Sequence, residues 1–308
     1  MIVDLPSTNT ATVVKKLMQL RDNVGSMALG RVLTLVVVVD EDGVDEAVEI
    51  ANSASRQHPC RVIVLVTANG RGAARLDAQI RLGGDAGASE VVVLRMYGPL
   101  AKQGRAVVTP LLLPDSPVVV WWPREAPVDP AADPVGAMAQ RRITDSARAK
   151  RPATALSARG KNYRAGDTDL AWTRLTLWRG QLAAALDEPP YVQVTGATVT
   201  GPPDSPSVPL LAGWLAQRLR CPVRTKASRA GSGLVAVTLE REDAQIEIAR
   251  PSGSSATITR AGQRDRRIAL PPRGDAECLA DELHRLDPDQ TYADALIRGM
   301  PQVRALRD

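Results

Sequence analysis

The chain has 308 residues, 44% of them hydrophobic and 24% charged, enough for one large or two ordinary domains, each burying its own core. Its net charge of +5 is local: residues 141–164 hold eight Lys/Arg and one Asp, leaving 31 basic and 33 acidic residues elsewhere, which argues against a general nucleic-acid surface. No run approaches the roughly 18 apolar residues of a membrane span, and "MIVDLPSTNT" lacks the basic start and apolar middle of a secretion signal, so the expected location is cytoplasmic.

The N-terminal part alternates helical and extended patterns. Val13, Leu17 and Leu20 recur at helical spacing, and "RVLTLVVVVD" is an apolar, β-branched run suited to a strand buried on both faces. After "DEDG" a helix with Val44, Ala47, Val48 and Ala51 on one face is expected, with Asp40 or Asp42 as its cap. "RVIVLVTA" is a second buried strand. From Arg75 the strict alternation of R-L-D-A-Q-I-R-L predicts a half-exposed strand at a sheet edge, and "EVVVLRMY" and "PVVVWW" supply two more.

Pro, Ala and Asp dominate residues 123–134, a loop or linker signal, and the basic segment follows. "DTDLAWTRLTLWRGQLAAALDEPP" predicts a helix capped by Asp169, with Trp172, Leu175, Trp178, Leu182 and Ala185 on one broad face. "PLLAGWLAQRL" is a further helix, with Leu211, Trp214 and Leu215 inward. "GLVAVTLERE", "AQIEIARP", "SATITRAG" and "RRIALPP" read as short strands of an antiparallel sheet. A last helix carrying Leu279, Leu283 and Leu286 should cover that sheet. The expected architecture is an α/β N-terminal domain over residues 1–165, a mostly buried sheet with helices, and an α+β C-terminal domain with an antiparallel sheet over 166–308.

Catalytic signatures are sparse. "GRGAAR" at 70–75 has two glycines of a dinucleotide fingerprint, but Arg75 stands where the third belongs and no helix pattern follows, so a turn is expected. Cys60, Cys221 and Cys278 form no CxxC pair, and only His58 and His284 are present, so neither a zinc centre nor a redox pair nor a histidine triad is indicated. GxSxG, P-loop and HExxH motifs do not occur. These features point away from an enzyme, with no cofactor and no metal. The alternative is an α/β small-molecule-binding domain or enzyme using the loops near Asp40 and Gly70.

Positive charge and tryptophan instead concentrate together: four of five tryptophans fall between 121 and 178. Trp and Arg dominate interface hot spots. Trp121, Trp122, Arg141, Arg142, Asp145, Trp172, Arg174, Trp178 and Arg179 are therefore candidates for a partner interface. Strand alternation separates Trp121 from Trp122, so at least one is expected to lie outside its own core. Packing is the competing reading for Trp172 and Trp178, which share a helix face. Bases stacked on the indoles are a lesser alternative.

Six stretches, "SRQHPCRVIVL", "LLLPDSPVVVWWP", "RRITDS", "DLAWTRLTLWR", "LLAGWLAQRL" and "CLADELHRLDPDQTYADAL", resemble the glucose-6-phosphate dehydrogenase assembly protein family, OpcA, in its actinobacterial form. The resemblance spans about residues 50 to 297 in the family's order. It implies a non-enzymatic partner that binds glucose-6-phosphate dehydrogenase and promotes its active oligomer or activates it allosterically, at the entry to the oxidative pentose phosphate pathway. It also implies two family domains joined near the basic segment; the local charge and the lack of a long apolar run lead to no expectation of a nucleic-acid or membrane partner.

Overall fold

The computed structural model describes residues 1–24, 32–67, 70, 72–82, 90–189, 191–228, 233–242, 244–251 and 253–306. The chain forms two compact units, residues 1–145 with 275–288 and residues 146–274 with 289–308. By packing, the chain parts after Asp145, and the 275–288 segment belongs with the first unit.

The first unit contains β1 (Ile2–Thr8), α1 (Thr10–Val24), β2 (Leu33–Val39), α2 (Val44–Ser55), β3 (Cys60–Thr67), β4 (Arg75–Arg81), β5 (Glu90–Tyr97), α3 (Gly104–Val108), β6 (Val118–Trp121) and β7 (Arg141–Thr144). Within it the sheet runs β1-β4-β5-β3-β2-β6-β7. β5, β3, β2, β6 and β7 are mutually parallel, while β4 and β1 are antiparallel additions. The apolar runs in β2, β3 and β5 are buried along nearly their whole length, as strands covered on both faces require.

β4 shows the expected alternation, but it is not the edge: β1 pairs outside it. Pro6 and the polar residues of β1 hide that strand in the sequence, and an edge position tolerates them. One face packs Val13 and Leu17 of α1, Val107 and Val108 of α3, and Ile63, Leu94 and Trp122 of the sheet. Arg21 fastens α1 to the sheet through Glu90, whose side chain is fully buried between Arg21 Nε at 2.7 Å and Arg61 Nε at 2.6 Å.

The second unit holds α4 (Pro152–Asn162), β8 (Asp167–Asp169), α5 (Leu170–Thr173), α6 (Thr176–Leu186), β9 (Gly196–Gly201), α7 (Ser207–Leu219), β10 (Val223–Ala227), β11 (Ala236–Glu240), β12 (Gln245–Ala249), β13 (Ser255–Arg260) and β14 (Arg266–Ala269). α8 (Asp275–His284) follows and belongs to the first unit, where it packs on α2; α9 (Gln290–Ala293) and β15 (Arg304–Ala305) complete the second. The sheet order is β14-β13-β12-β11-β9-β10-β15, antiparallel from β14 to β9 and parallel from β9 to β15.

α8 therefore does not cover the C-terminal sheet as its leucine spacing suggested. An apolar stripe shows that a helix has a packing partner without showing which. The inner face of that sheet is packed by α6, α7 and the helical turns after α9, with Trp178, Leu211, Leu215, Val237, Ile248 and Leu296 in one core. Each such side chain contributes about 1.5–3 kcal/mol on full burial. α7 crosses the π-helical turn Asp294–Gly299 by backbone contact: a Cβ on Gly299 would collide with the Gly213 carbonyl oxygen.

Candidate partner-binding region

The carboxyl ends of the parallel strands are where a sheet of this topology holds ligands. β3 and β5 extend to one side of β2, and β6 and β7 to the other, so the switch point lies between β2 and β6. A nucleotide site there needs glycines and a helix N-terminus facing the phosphate. This chain places Asp40, Glu41 and Asp42 after β2, and Asp45 and Glu46 in the first turn of α2.

Arg124, just beyond β6, enters this acidic corner, with Nη1 3.6 Å from Asp40 and Nη2 3.1 Å from Glu46. Asp40 makes no side-chain cap; Gly43 is the N-cap of α2, a correction to the capping expectation. The geometry opposes phosphate by charge and fills the corner with an internal cation. Gly70 and Gly72 lie in the bend before β4, while Arg71 of the same motif is outside the described residues. No helix opens after this bend, because β4 begins at Arg75. Among the described residues, no group of three or more His, Cys, Asp or Glu could hold a metal ion.

The first unit's interface candidates are interior groups. Trp121 is 1% exposed and Trp122 2%, which corrects the expectation that one indole would be left outside the core. Alternation does send them to opposite faces, but both faces are covered, and Trp122 joins the α1 and α3 core. Trp122 also continues the ladder past β6, its N–H donating to Ile143 O at 2.9 Å. The Trp121 indole N–H has no hydrogen-bond partner among the described residues.

Arg141 is fully buried, pairs with Glu282 of α8 and donates to Asp287 O at 2.8 Å. Arg142 donates to Ala139 O at 2.8 Å, and Asp145 is buried. The basic segment is thus not one solvated patch: Arg141, Arg142 and Arg159 are inside, whereas Lys150, Arg151, Lys161 and Arg164 are exposed.

In the second unit, Asp169 organises the start of the motif helix. Its carboxylate accepts from Ser146 Oγ at 2.6 Å, Ser146 N at 3.0 Å and Ala171 N at 3.0 Å, so it is the expected cap. The single helix expected over this stretch is broken into α5 and α6 at Arg174–Leu175. Trp172 is buried, donates from Nε1 to Asp289 Oδ2 at 2.8 Å, and packs against the Tyr292 ring at 5.9 Å.

The Arg179 guanidinium lies over the Trp172 ring, 3.8 Å from its centre. Burial and the nearby Asp169 and Asp167 carboxylates push the Tyr292 hydroxyl well above its ordinary pKa, so it remains a neutral phenol. Trp178 is buried in the same unit's core, with Arg250 5.3 Å from its ring. Arg174 and Arg179 are the two sequence candidates that retain partial exposure.

Sequence reasoning missed Asp289, Tyr292 and Glu282. Asp289 was recoverable as a cap, since it accepts from Tyr292 N at 3.0 Å at the start of α9. Glu282 follows Leu279 by one turn, so helical spacing placed it beside the apolar stripe. Cys60 and Cys278 are buried and Cys221 is half-buried; none of the three is in a disulfide.

Two family models match the chain. Residues 51–161 match the N-terminal domain of the glucose-6-phosphate dehydrogenase subunit family, and residues 165–296 match the C-terminal domain of the same family. No curated protein matches it. Among solved structures it is similar to glucose-6-phosphate 1-dehydrogenase from Mycobacterium avium, at 9% identity and TM-score 0.45, over 90% of this chain and 94% of that one. A Gfo/Idh/MocA family oxidoreductase from Vibrio cholerae gives 9% identity and TM-score 0.40, over 88% and 95%. UDP-N-acetylglucosamine 3-dehydrogenase from Acidithiobacillus ferrooxidans gives 11% and 0.37, over 88% and 96%. The two family models, in order along most of the sequence, show that the chain belongs to the OpcA family, the non-enzymatic assembly partners of glucose-6-phosphate dehydrogenase.

Proposed function

We propose that this chain, acting in the cytoplasm, docks on glucose-6-phosphate dehydrogenase through exposed cations of its second unit and raises the population of the dehydrogenase's active assembly. The observation that carries the reading is the pair of family matches over residues 51–161 and 165–296. The acid-lined switch point agrees with it, since binding energy and not chemistry on this chain does the work. A ligand shifts a two-state equilibrium only by its difference in affinity for the two states, so the chain must hold the active assembly more tightly.

In this reading the partly exposed Arg174 and Arg179 and the exposed Lys150, Arg151, Lys161 and Arg164 supply the contact charges. Trp172 and Trp178 contribute from within the second unit, by packing the core under α5 and α6, while Trp121, Trp122, Arg141, Arg142 and Asp145 are buried and serve the first unit's own framework. Docking through exposed cations makes the association rate fall with added salt. Replacing Arg174, Lys161 and Arg164 together by Glu should weaken association while thermal stability is retained. Unchanged affinity in that variant, with no salt dependence, would place the interface elsewhere.

A further inference from the structure

A cavity of about 660 Å³ opens in the second unit where the end of α7 meets β10 and β15. Its polar lining is Gln217, Arg220, Cys221, Arg224, Gln302 and Arg304. We propose that this cavity binds the phosphate group of a small phosphorylated molecule. The inference concerns the isolated chain and does not depend on how the dehydrogenase is engaged.

Like charges placed side by side are the first observation. Arg224 and Arg304 are register partners on the adjacent parallel strands β10 and β15, and both are exposed. Neighbouring strands lie only about 4.8 Å apart, and directly opposed like charges are unfavourable unless an anion lies between them. Arg304 and Arg220 have no acidic partner among the described residues, and Arg224 has one half-exposed carboxylate, Glu240, at 3.7 Å. Three guanidinium groups against one carboxylate leave the rim strongly positive.

Arg220 supplies the second observation. It ends α7 in the left-handed region, with φ 54° and ψ 35°, a position that favours glycine. The α7 carboxyl end attracts a cation with about half a charge, which accounts for one arginine near it but not for two more on the strands. An arginine held where glycine is easier, lining the same cavity as two others, points to a ligand with more than one negative charge.

A phosphate monoester carries about −1.5 to −2 at neutral pH and offers three oxygens to bidentate guanidinium groups. A carboxylate monoanion matches neither the charge nor the number of donors. The volume lies within the roughly 300–1,000 Å³ of small-molecule sites, so a phosphate with an attached small polar body fits better than the free ion.

Cys221 reports on the site. Burial, helped by Glu240, raises its thiol pKa, so it stays protonated and labels slowly at neutral pH. Cys60 and Cys278 are fully buried, which leaves Cys221 as the accessible cysteine of the folded chain.

The test is calorimetry on the full chain in low-salt buffer with inorganic phosphate, a hexose 6-phosphate and the unphosphorylated hexose, with maleimide labelling of Cys221 as a second readout. The hexose phosphate should bind saturably and slow the labelling, and the hexose should do neither. Weaker binding by inorganic phosphate than by the ester identifies the metabolite as the ligand, whereas equal binding identifies the free ion, and both support a phosphate site. The double variant Arg224→Ala, Arg304→Ala should lose about tenfold or more in affinity. Arg220→Gly should bind more weakly with no fall in melting temperature, because it relieves the left-handed strain. No saturation at millimolar ligand, equal binding of the plain hexose, or unchanged affinity in the double variant would overturn the proposal.

Discussion

Arg141 and Glu282, 141 positions apart in sequence, form a buried ion pair inside the first unit, with side chains 2% and 7% exposed. The same guanidinium holds the Asp287 carbonyl, so one side chain fixes α8 and the turn after it. Breaking such a pair by truncating one partner leaves a buried charge uncompensated and costs about 3–5 kcal/mol. Arg141→Ala or Glu282→Ala should therefore lower unfolding free energy by that much in urea titrations. The double change Arg141→Met, Glu282→Leu should recover most of it, because no buried charge remains. Equal losses in single and double variants would show that the pair is not the fastening element.

The α7 crossing makes a sharper prediction. Gly299→Ala puts a methyl against the Gly213 carbonyl, where backbone and not a flexible side chain must move. Overpacking of this kind costs about 1–3 kcal/mol, read as a lower denaturation midpoint at constant slope. Gly180→Ala, where nothing lies within 4 Å of the added Cβ, should show no such loss. It replaces glycine in helix α6 and should stabilise slightly.

Asp289 serves two donors, the Trp172 indole and the Tyr292 backbone N–H. Asp289→Ala removes a helix cap and a charge-assisted acceptor together, a loss of about 2 kcal/mol or more. Trp172 fluorescence should change in the folded variant, since the indole N–H loses its carboxylate. An unaltered spectrum and midpoint would contradict the assigned geometry.

His58 meets His284 at 5.0 Å between ring centres, the two rings tilted by 48°. Burial, and then the charge of His284, lower the His58 pKa from its usual 6.5. The folded state thus takes up fewer protons than the unfolded chain below that value, so its stability is full above about pH 6.5 and declines as pH falls through the lowered folded value. His58→Asn should flatten that decline in thermal melts between pH 7 and pH 5.

Legibility followed the strength of local pattern. β2, β3 and β5 were plain in the sequence because buried parallel strands are continuous β-branched runs. β1 was not, because an edge strand can carry Pro6 and polar residues without losing its pairing. The stripe on α8 showed a packing face, yet only the tertiary fold selects α2 as its neighbour. Asp169 was legible as a cap because that bond is local, while Asp40, equally well spaced for capping, is drawn to Arg124. The tryptophan pair misled because alternation fixes direction and says nothing of whether a face is covered. Arg224 and Arg304 carry no spacing signal, since strand pairing brings together residues distant in sequence.

The central claim is that this chain works by binding glucose-6-phosphate dehydrogenase and does no chemistry of its own. Purified chain and cognate dehydrogenase, at micromolar concentrations of both, should be passed over a sizing column with mass detection while activity is assayed on the same fractions. The account predicts co-elution in a larger assembly, dehydrogenase activity raised above that of the enzyme alone, and no turnover by the chain alone after repurification. Separate elution with unchanged activity, or turnover of glucose 6-phosphate by the chain itself, would contradict it.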